Sequence, residues 1–255
     1  MKIVFLGVGE SCDETLPNTS IWVRTEVQGD INSIMLDCGF TAPPQYWQLN
    51  SDQDELDGIW ISHFHADHFF GLPAMLLRFT EMKRRKRLVI LSQKGIRKLV
   101  SNTMDLAYPG FLNKLTYPLE FIEMDAGQGP IDMLGMKWSV AANNHSQKDL
   151  AVRIDDGKAS IFYSGDGLPT PETTALARGC NLVIHEAFQF DELLNHHGSV
   201  FHSIEFGRRV GAGILALVHL QRDVRKDRYQ EILKMIKRVE DFHVTLPEPG
   251  DRIDL

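Results

Sequence analysis

Within six residues the chain places four side chains able to hold a metal: His63, His65, Asp67 and His68, in the stretch Ile59–Gly71 that reads IWISHFHADHFFG. Imidazole nitrogen and carboxylate oxygen suit zinc, and iron or manganese accept the same donors. Side chains that would alternate along a strand can be gathered by a turn. On such a turn His63 and His65 can converge on one cation while Asp67 and His68 converge on a second beside it. One histidine on a loop would be an ordinary surface or packing residue. Three histidines and an aspartate at this spacing point to metal binding.

The flanking residues say how the cluster is held. Ile59-Trp60-Ile61 is apolar throughout and predicts a buried strand. Gly71-Leu72-Pro73 opens a helical pattern, and Leu72, Met75, Leu76 and Phe79 recur at helical spacing, which predicts a helix over Leu72–Arg87. Opening strands are expected over Lys2–Leu6, Ile21–Val23 and Ser33–Leu36. The last of these stops at Asp37-Cys38-Gly39, where Asp37 either accepts from a ligand histidine or caps the turn. Further on, Met136–Ala142 reads as a strand that leads to His145. Leu150–Ile154 and Ser160–Ser164 form a hairpin through Asp155-Asp156-Gly157-Lys158, and the second strand runs into Asp166. Leu182–Ile184 ends in His185-Glu186, and Ile214–Val218 stops at His219. Helices are expected over Lys94–Val100, Thr170–Arg178, Ser203–Gly211 and Asp227–Val239. Pattern alone supports a mixed α and β protein.

The 255 residues, 43% hydrophobic and 24% charged, are ordinary for a globular enzyme of one large or two small domains. No apolar window is long enough to cross a bilayer. The start, Met1 to Gly7, is followed at once by Glu10, Asp13 and Glu14, so it reads as a first strand and not as a leader. Three scattered cysteines, Cys12, Cys38 and Cys180, suggest reduced thiols in a cytoplasmic protein. A net charge of −7 argues against a surface that binds nucleic acid everywhere, though not against a local basic groove. The run Lys83 to Arg87 is the one dense positive stretch. It reads either as the solvated end of the preceding helix or as a face for RNA or phosphate.

His63-Phe64-His65-Ala66-Asp67-His68 resembles the H-x-H-x-D-H signature of the metallo-β-lactamase superfamily. The resemblance implies an α/β fold, an αβ/βα four-layer sandwich, as a single domain over residues 1–255. It also implies two divalent metal ions, most simply Zn2+ with Mn2+ or Fe tolerated. His63, His65 and His145 would hold the first, and Asp67, His68 and His219 the second, with Asp166 bridging both. Such a pair ionises a bridging water near neutral pH and polarises a phosphoryl or carbonyl oxygen, so the implied chemistry is hydrolysis.

His185-Glu186-Ala187-Phe188 and His202-Ser203-Ile204 resemble two motifs of ribonuclease Z, the phosphodiesterase that trims tRNA 3′ ends. Carried over, Asp67, Glu186 and His202 are the catalytic residues, with Glu186 orienting His202 to protonate the leaving oxygen. Glu186 as a capped strand end and His202 as an N-cap neighbour are the plainer alternatives. Phe188 and Ile204 replace the hydroxyl residues of those motifs. The interval between His145 and Asp166 holds one hairpin where ribonuclease Z commonly carries a long tRNA-binding arm. The expected activity is therefore that of a phosphodiesterase, on RNA or a smaller phosphodiester. A thioester, lactone or other carboxyl-ester hydrolase, or a metal-binding sensor or scaffold without turnover, are the rivals. The resemblance also implies a homodimer. His196 and His197 lie on a loop near the expected mouth, as substrate contacts or as an exposed pair.

Overall fold

A computed structural model describes residues 1–27 and 29–255. Fourteen strands occur among them: β1 (Lys2–Gly7), β2 (Ser20–Val27), β3 (Asp30–Leu36), β4 (Gly58–Ile61), β5 (Leu88–Gln93), β6 (Leu119–Met124), β7 (Ile131–Met133), β8 (Met136–Ala142), β9 (Leu150–Asp155), β10 (Ser160–Tyr163), β11 (Leu182–Glu186), β12 (Ile214–Val218), β13 (His243–Thr245) and β14 (Arg252–Asp254). They form two seven-stranded sheets, ordered β14-β1-β2-β3-β4-β5-β6 and β13-β12-β11-β10-β9-β8-β7. Eight α-helices accompany them: α1 (Ala42–Leu49), α2 (Ala66–Phe69), α3 (Leu72–Glu81), α4 (Ile96–Ala107), α5 (Pro171–Ala177), α6 (Val200–Val210), α7 (Arg222–Asp227) and α8 (Tyr229–Lys237).

The side-chain alternation of strands builds the layers. Ile21, Val23, Ile34, Leu36 and Trp60 of the first sheet meet Trp138, Val152, Ile161, Ile184 and Ala216 of the second in one buried interior. Trp60 and Trp138 touch across it, with ring centroids 6.2 Å apart. Their alternating neighbours Trp22, Met35, Ile59 and Ile61 face outward and are covered by Met75, Leu76 and Phe79 of α3 and by Val100 and Met104 of α4. Phe162, Val183 and Leu215 do the same beneath Val200, Phe206 and Ile232. Helices thus lie outside both sheets, the four-layer αβ/βα sandwich of the metallo-β-lactamase fold. Strands apolar on both faces, such as β4 and β11, are what such burial requires. No helix among the described residues is long and apolar enough to cross a membrane.

Three elements differ from the reading of the sequence. Helix α1 was not expected; Pro43 and Pro44 occupy its first turn, where a missing N–H is harmless. Helix α4 runs to Ala107, well past the expected end at Val100. Helix α3 stops at Glu81, not at Arg87, because Lys83 adopts a left-handed conformation (φ 60°) that turns the chain inward.

The basic run is consumed by that turn. Arg84 is fully buried and donates to the carbonyl oxygens of Gln53 (2.6 Å), Leu56 (2.6 Å) and Arg87 (2.8 Å), with Phe79 and Tyr117 beneath it. Lys86 pairs with Asp57 at 2.7 Å and Arg87 with Glu120 at 2.9 Å. Arg84→Met should orphan three carbonyls and lower stability by about 3 kcal/mol. A urea midpoint unchanged by that substitution would contradict the structural role.

Candidate metal centre

Every candidate ligand emerges where a strand ends. β4 is buried along its whole length and delivers Ser62 and His63; the chain then turns through His65 into the single-turn helix α2, which carries Asp67 and His68. β8, β10 and β12 lead to His145, Asp166 and His219. β8 and β10 are each antiparallel to β9, and β10, β11 and β12 run parallel, so these strands deliver their last residues to the same rim. Two local features make the turns possible. Gly39 lies where a Cβ would come within 1.9 Å of the Asp67 carbonyl oxygen, so only glycine lets the end of β3 pack on α2. His219 itself is left-handed (φ 56°), a conformation unusual outside glycine that recurs where function demands a fixed side chain.

The donors fall into two groups, His63, His65, His145 and Asp166 in one and Asp67, His68 and His219 in the other; within each, the atoms lie within 4.8 Å of one another. In the first, His65 Nδ1 is 3.0 Å from His63 Nε2 and 3.2 Å from His145 Nε2. In the second, Asp67 Oδ2 is 3.3 Å from His68 Nε2 and 3.2 Å from His219 Nε2. Asp166 stands between them: Oδ2 is 3.9 Å from His63 Nε2 and 3.5 Å from His68 Nε2, and Oδ1 is 3.5 Å from His219 Nε2. Two ligands about 2.0–2.1 Å from a tetrahedral cation lie about 3.3 Å apart, which is the spacing of these donors. Among the described residues His68 Nε2 and Asp166 Oδ1 are buried without a hydrogen-bond partner, a costly arrangement for a chain alone and a natural one around a cation. The donor set fits divalent metal, with Asp166 placed between the two groups.

Electrostatics follow from burial and from this crowding. Burial pushes the His63 imidazole down to about 3, with His68 acting in the same sense, so it is neutral as a ligand must be. Burial would raise Asp166, but His219, His68 and His63 hold it well below the usual carboxylate range. Burial would lower His219, yet the Asp166 and Asp67 carboxylates raise it to about 9. A proton there supplies the positive charge that a cation would bring.

Buried carboxylates lie behind both groups. Asp37, itself left-handed (φ 59°), accepts from Ser62 N (2.7 Å), Ser62 Oγ (2.7 Å) and Tyr163 OH (2.6 Å), and its Oδ2 is 2.7 Å from His68 Nδ1. Of the two readings that the sequence left open for Asp37, the histidine partner is the one the geometry realises. Asp149, which sequence reasoning passed over, is fully buried with Oδ2 2.9 Å from His63 Nδ1. Its sequence setting, Gln147-Lys148-Asp149, looks like a solvated turn and carries no signal of this.

The expected pairing of Glu186 with His202 is not formed. Glu186 is fully buried, accepts from Gly198 N (2.6 Å) and Phe188 N (3.1 Å), and faces His197 Nδ1 at 3.7 Å. His197 stacks on Phe188 (4.5 Å) and sets its ring 5.1 Å from that of His145. With Phe188, His65, Asp67, Asp166 and His219 it lines a cavity of about 320 Å³ over the candidate ligands. Burial would lower its pKa, but the Glu186 carboxylate prevails and raises it. His202 instead sits one turn into α6, its Nδ1 2.8 Å from the N-cap Ser199 Oγ, and lines a separate cavity with Leu168, Pro169 and Arg209. The reason is local. Ser199 begins the helix, so a histidine before it lies on the loop that reaches the candidate ligands, and one after it is carried away by the helical turn. His196 contributes through its backbone, whose carbonyl accepts from His145 Nδ1 at 3.2 Å and turns Nε2 toward the cluster. Neither loop histidine is a mere exposed pair.

Known proteins resemble this chain in sequence and in fold. The chain is 28% identical over 252 residues to the mitochondrial ribonuclease Z of Drosophila melanogaster, covering 88% of itself but only 32% of that longer protein. It is 25% identical to the ribonuclease Z of Thermoplasma acidophilum, covering 86% of each. The crystal structure of human tRNase Z, short form, superimposes with a TM-score of 0.79 at 22% identity over 100% of this chain and 99% of that one, a likeness of fold. The family described as anti-Pycsar protein Apyc1 matches residues 1–238. With the ligand-bearing strand ends all inside that span, the chain belongs to the Apyc1 family and is a ribonuclease Z-like, metal-dependent hydrolase on the metallo-β-lactamase fold.

Proposed function

We propose that the chain is a phosphodiesterase acting on a small phosphodiester, with two divalent cations held by His63, His65, His145, Asp67, His68 and His219 and bridged by Asp166. Zinc is the favoured metal, with manganese or iron tolerated by the same nitrogen and oxygen donors. The observation that carries the reading is the convergence of seven donors beside a histidine backed by a buried carboxylate. The chemistry that such cations would supply when bound there is hydroxide near neutral pH and polarisation of a phosphoryl oxygen. The protein's own part is orientation and proton delivery. Asp67 and Asp166 fix the donors around the attacked position. His197, its Nδ1 turned toward Glu186, offers Nε2 to the departing oxygen; an imidazole oriented by a carboxylate is well matched to that task. This role passes to His197 from His202.

Two features favour a small substrate over a folded RNA. β9 and β10 are joined directly by a four-residue turn, with Asp155 opposite Ser160, so no arm projects there to grip tRNA. The one dense basic run is tied up in Arg84, Lys86 and Arg87 contacts to the protein itself. Processing of an RNA end is the second reading, because the relatives above are ribonucleases. Free thiols at Cys12, Cys38 and Cys180 suit a reducing compartment such as the cytoplasm.

Assays of the zinc-loaded protein against a bis-aryl phosphate, a tRNA precursor, an acyl thioester and a lactone separate the possibilities. The bis-aryl phosphate should be cleaved and chelation should abolish cleavage, while Lys83→Ala/Lys86→Ala should leave the rate within about twofold, as surface changes usually do. Cleavage of the thioester or lactone alone would overturn the reading, and tRNA binding that falls steeply with salt would favour the RNA version.

A further inference from the structure

The two halves of the metal centre are backed by different carboxylates. Asp37 stands behind His68 of the second group. Asp149 stands behind the first group, and its contacts there are more numerous than a ligand's partner needs. Oδ2 lies 2.9 Å from His63 Nδ1 and also accepts the backbone N–H of Asp166 at 3.1 Å. Oδ1 accepts from Asn143 Nδ2 at 3.3 Å, and the same amide nitrogen reaches the carbonyl oxygens of Ser164 (2.6 Å) and Asp166 (3.1 Å). The turn between them is built around this carboxylate: Gly165 is left-handed (φ 62°), and a Cβ there would fall 2.4 Å from Asp149 Oδ2. The Asp149 carbonyl accepts from Asn143 N at 3.2 Å, two residues before His145 leaves the strand. Ser62 joins the two systems, its Oγ donating to Asp37 and lying 3.1 Å from His63 Nδ1. Protein donors alone satisfy the Asp149 oxygens, and nothing in the proposed chemistry uses them.

We infer that Asp149 is the positioning residue of the first cation position, fixing His63 with its proton on Nδ1 and locking the Asp166 backbone, while Asp37 serves the second position. A ligand imidazole whose other N–H meets a carboxylate has its tautomer and ring plane set and its basicity raised, and loss of that partner costs about 10- to 100-fold in metal affinity. Because the one imidazole that Asp149 meets is His63, of the first group, its loss falls chiefly on the first position; through the Asp166 backbone it reaches the second only indirectly. This rests on the two-cation reading above. Asp149 acts through the ligands and does not meet substrate.

The test is made on the full chain loaded with zinc. Competition against a chromophoric chelator gives both affinities, and anomalous diffraction from crystals grown at limiting zinc shows which position empties. Asp149→Asn should weaken one zinc about 10- to 100-fold, leave the other within about threefold, and empty the position bounded by His63, His65 and His145. Asp37→Asn should empty the other. Equal weakening of both positions by Asp149→Asn, weakening of neither, or emptying of the His68 position overturns the inference. If Asp149→Asn does not fold, long-range ¹H–¹⁵N spectra of the unaltered zinc protein decide: a proton on His63 Nδ1 supports the assignment, and one on Nε2 overturns it. An unaltered protein that takes up no zinc sinks the metal-hydrolase reading as well; two tightly held zincs with an indifferent Asp149→Asn sinks only this one.

Discussion

Asp166→Ala is expected to lower phosphodiester turnover on the order of 10⁴-fold, equivalent to about 5 kcal/mol of transition-state stabilisation. Asp166 is the residue whose carboxylate reaches toward both groups of donors, Oδ2 lying 3.9 Å from His63 Nε2 and 3.5 Å from His68 Nε2, and Oδ1 3.5 Å from His219 Nε2. Removing it takes away the bridge and leaves three imidazoles facing one another without an anion among them. Zinc content should fall together with rate, from about two per chain toward one or none. A protein that keeps both zincs and loses less than about tenfold in rate would show that the bridge lies elsewhere. Asp166→Asn is a milder probe: its amide keeps the shape and one carbonyl oxygen, so partial metal content with a large loss of rate is the expected signature.

His197→Ala is expected to cost about 10²- to 10³-fold with a substrate whose leaving oxygen is an alkoxide, and far less with an aryl phosphate whose phenolate departs without help. His202→Ala should stay within about threefold on both. The contrast between leaving groups matters because a lost packing residue slows both substrates alike, whereas a lost proton donor slows only the poor leaving group. Glu186→Gln should move in the same direction as His197→Ala but less far, since the carboxylate acts by holding His197 and by accepting from Gly198 and Phe188. If His202→Ala gave the leaving-group-dependent loss instead, the loop must rearrange on substrate binding, and the geometry described for His197 would not be the working one.

The metal-binding loop was legible in the sequence because its chemistry is local. Three imidazoles and a carboxylate within six residues, after an apolar strand and before a helix, have little use except to hold a cation. The strand ends that deliver His145, Asp166 and His219 could be read from apolar runs stopping at polar residues. The layered fold came with the resemblance those residues carry, since alternation along each strand says which residues are buried but not which strands are neighbours.

Tertiary structure decided what depended on a few ångströms or on one turn of helix. His197 and His202 are each followed by a small residue or serine and look interchangeable along the chain; the N-cap at Ser199 separates them, sending one to Glu186 and the other to a different cavity. Lys83 to Arg87 has the composition of an RNA-binding face, yet a left-handed Lys83 folds Arg84 inside as a clamp on three carbonyls. Asp149 reads as part of a polar turn, and becomes the carboxylate behind His63 only because β9 begins beside the end of β4, where Leu150 N meets the Ser62 carbonyl at 3.1 Å. Chemistry carried by neighbours in sequence is written in the sequence. Chemistry carried by neighbours in space waits on the packing of strands that the chain's local pattern does not order.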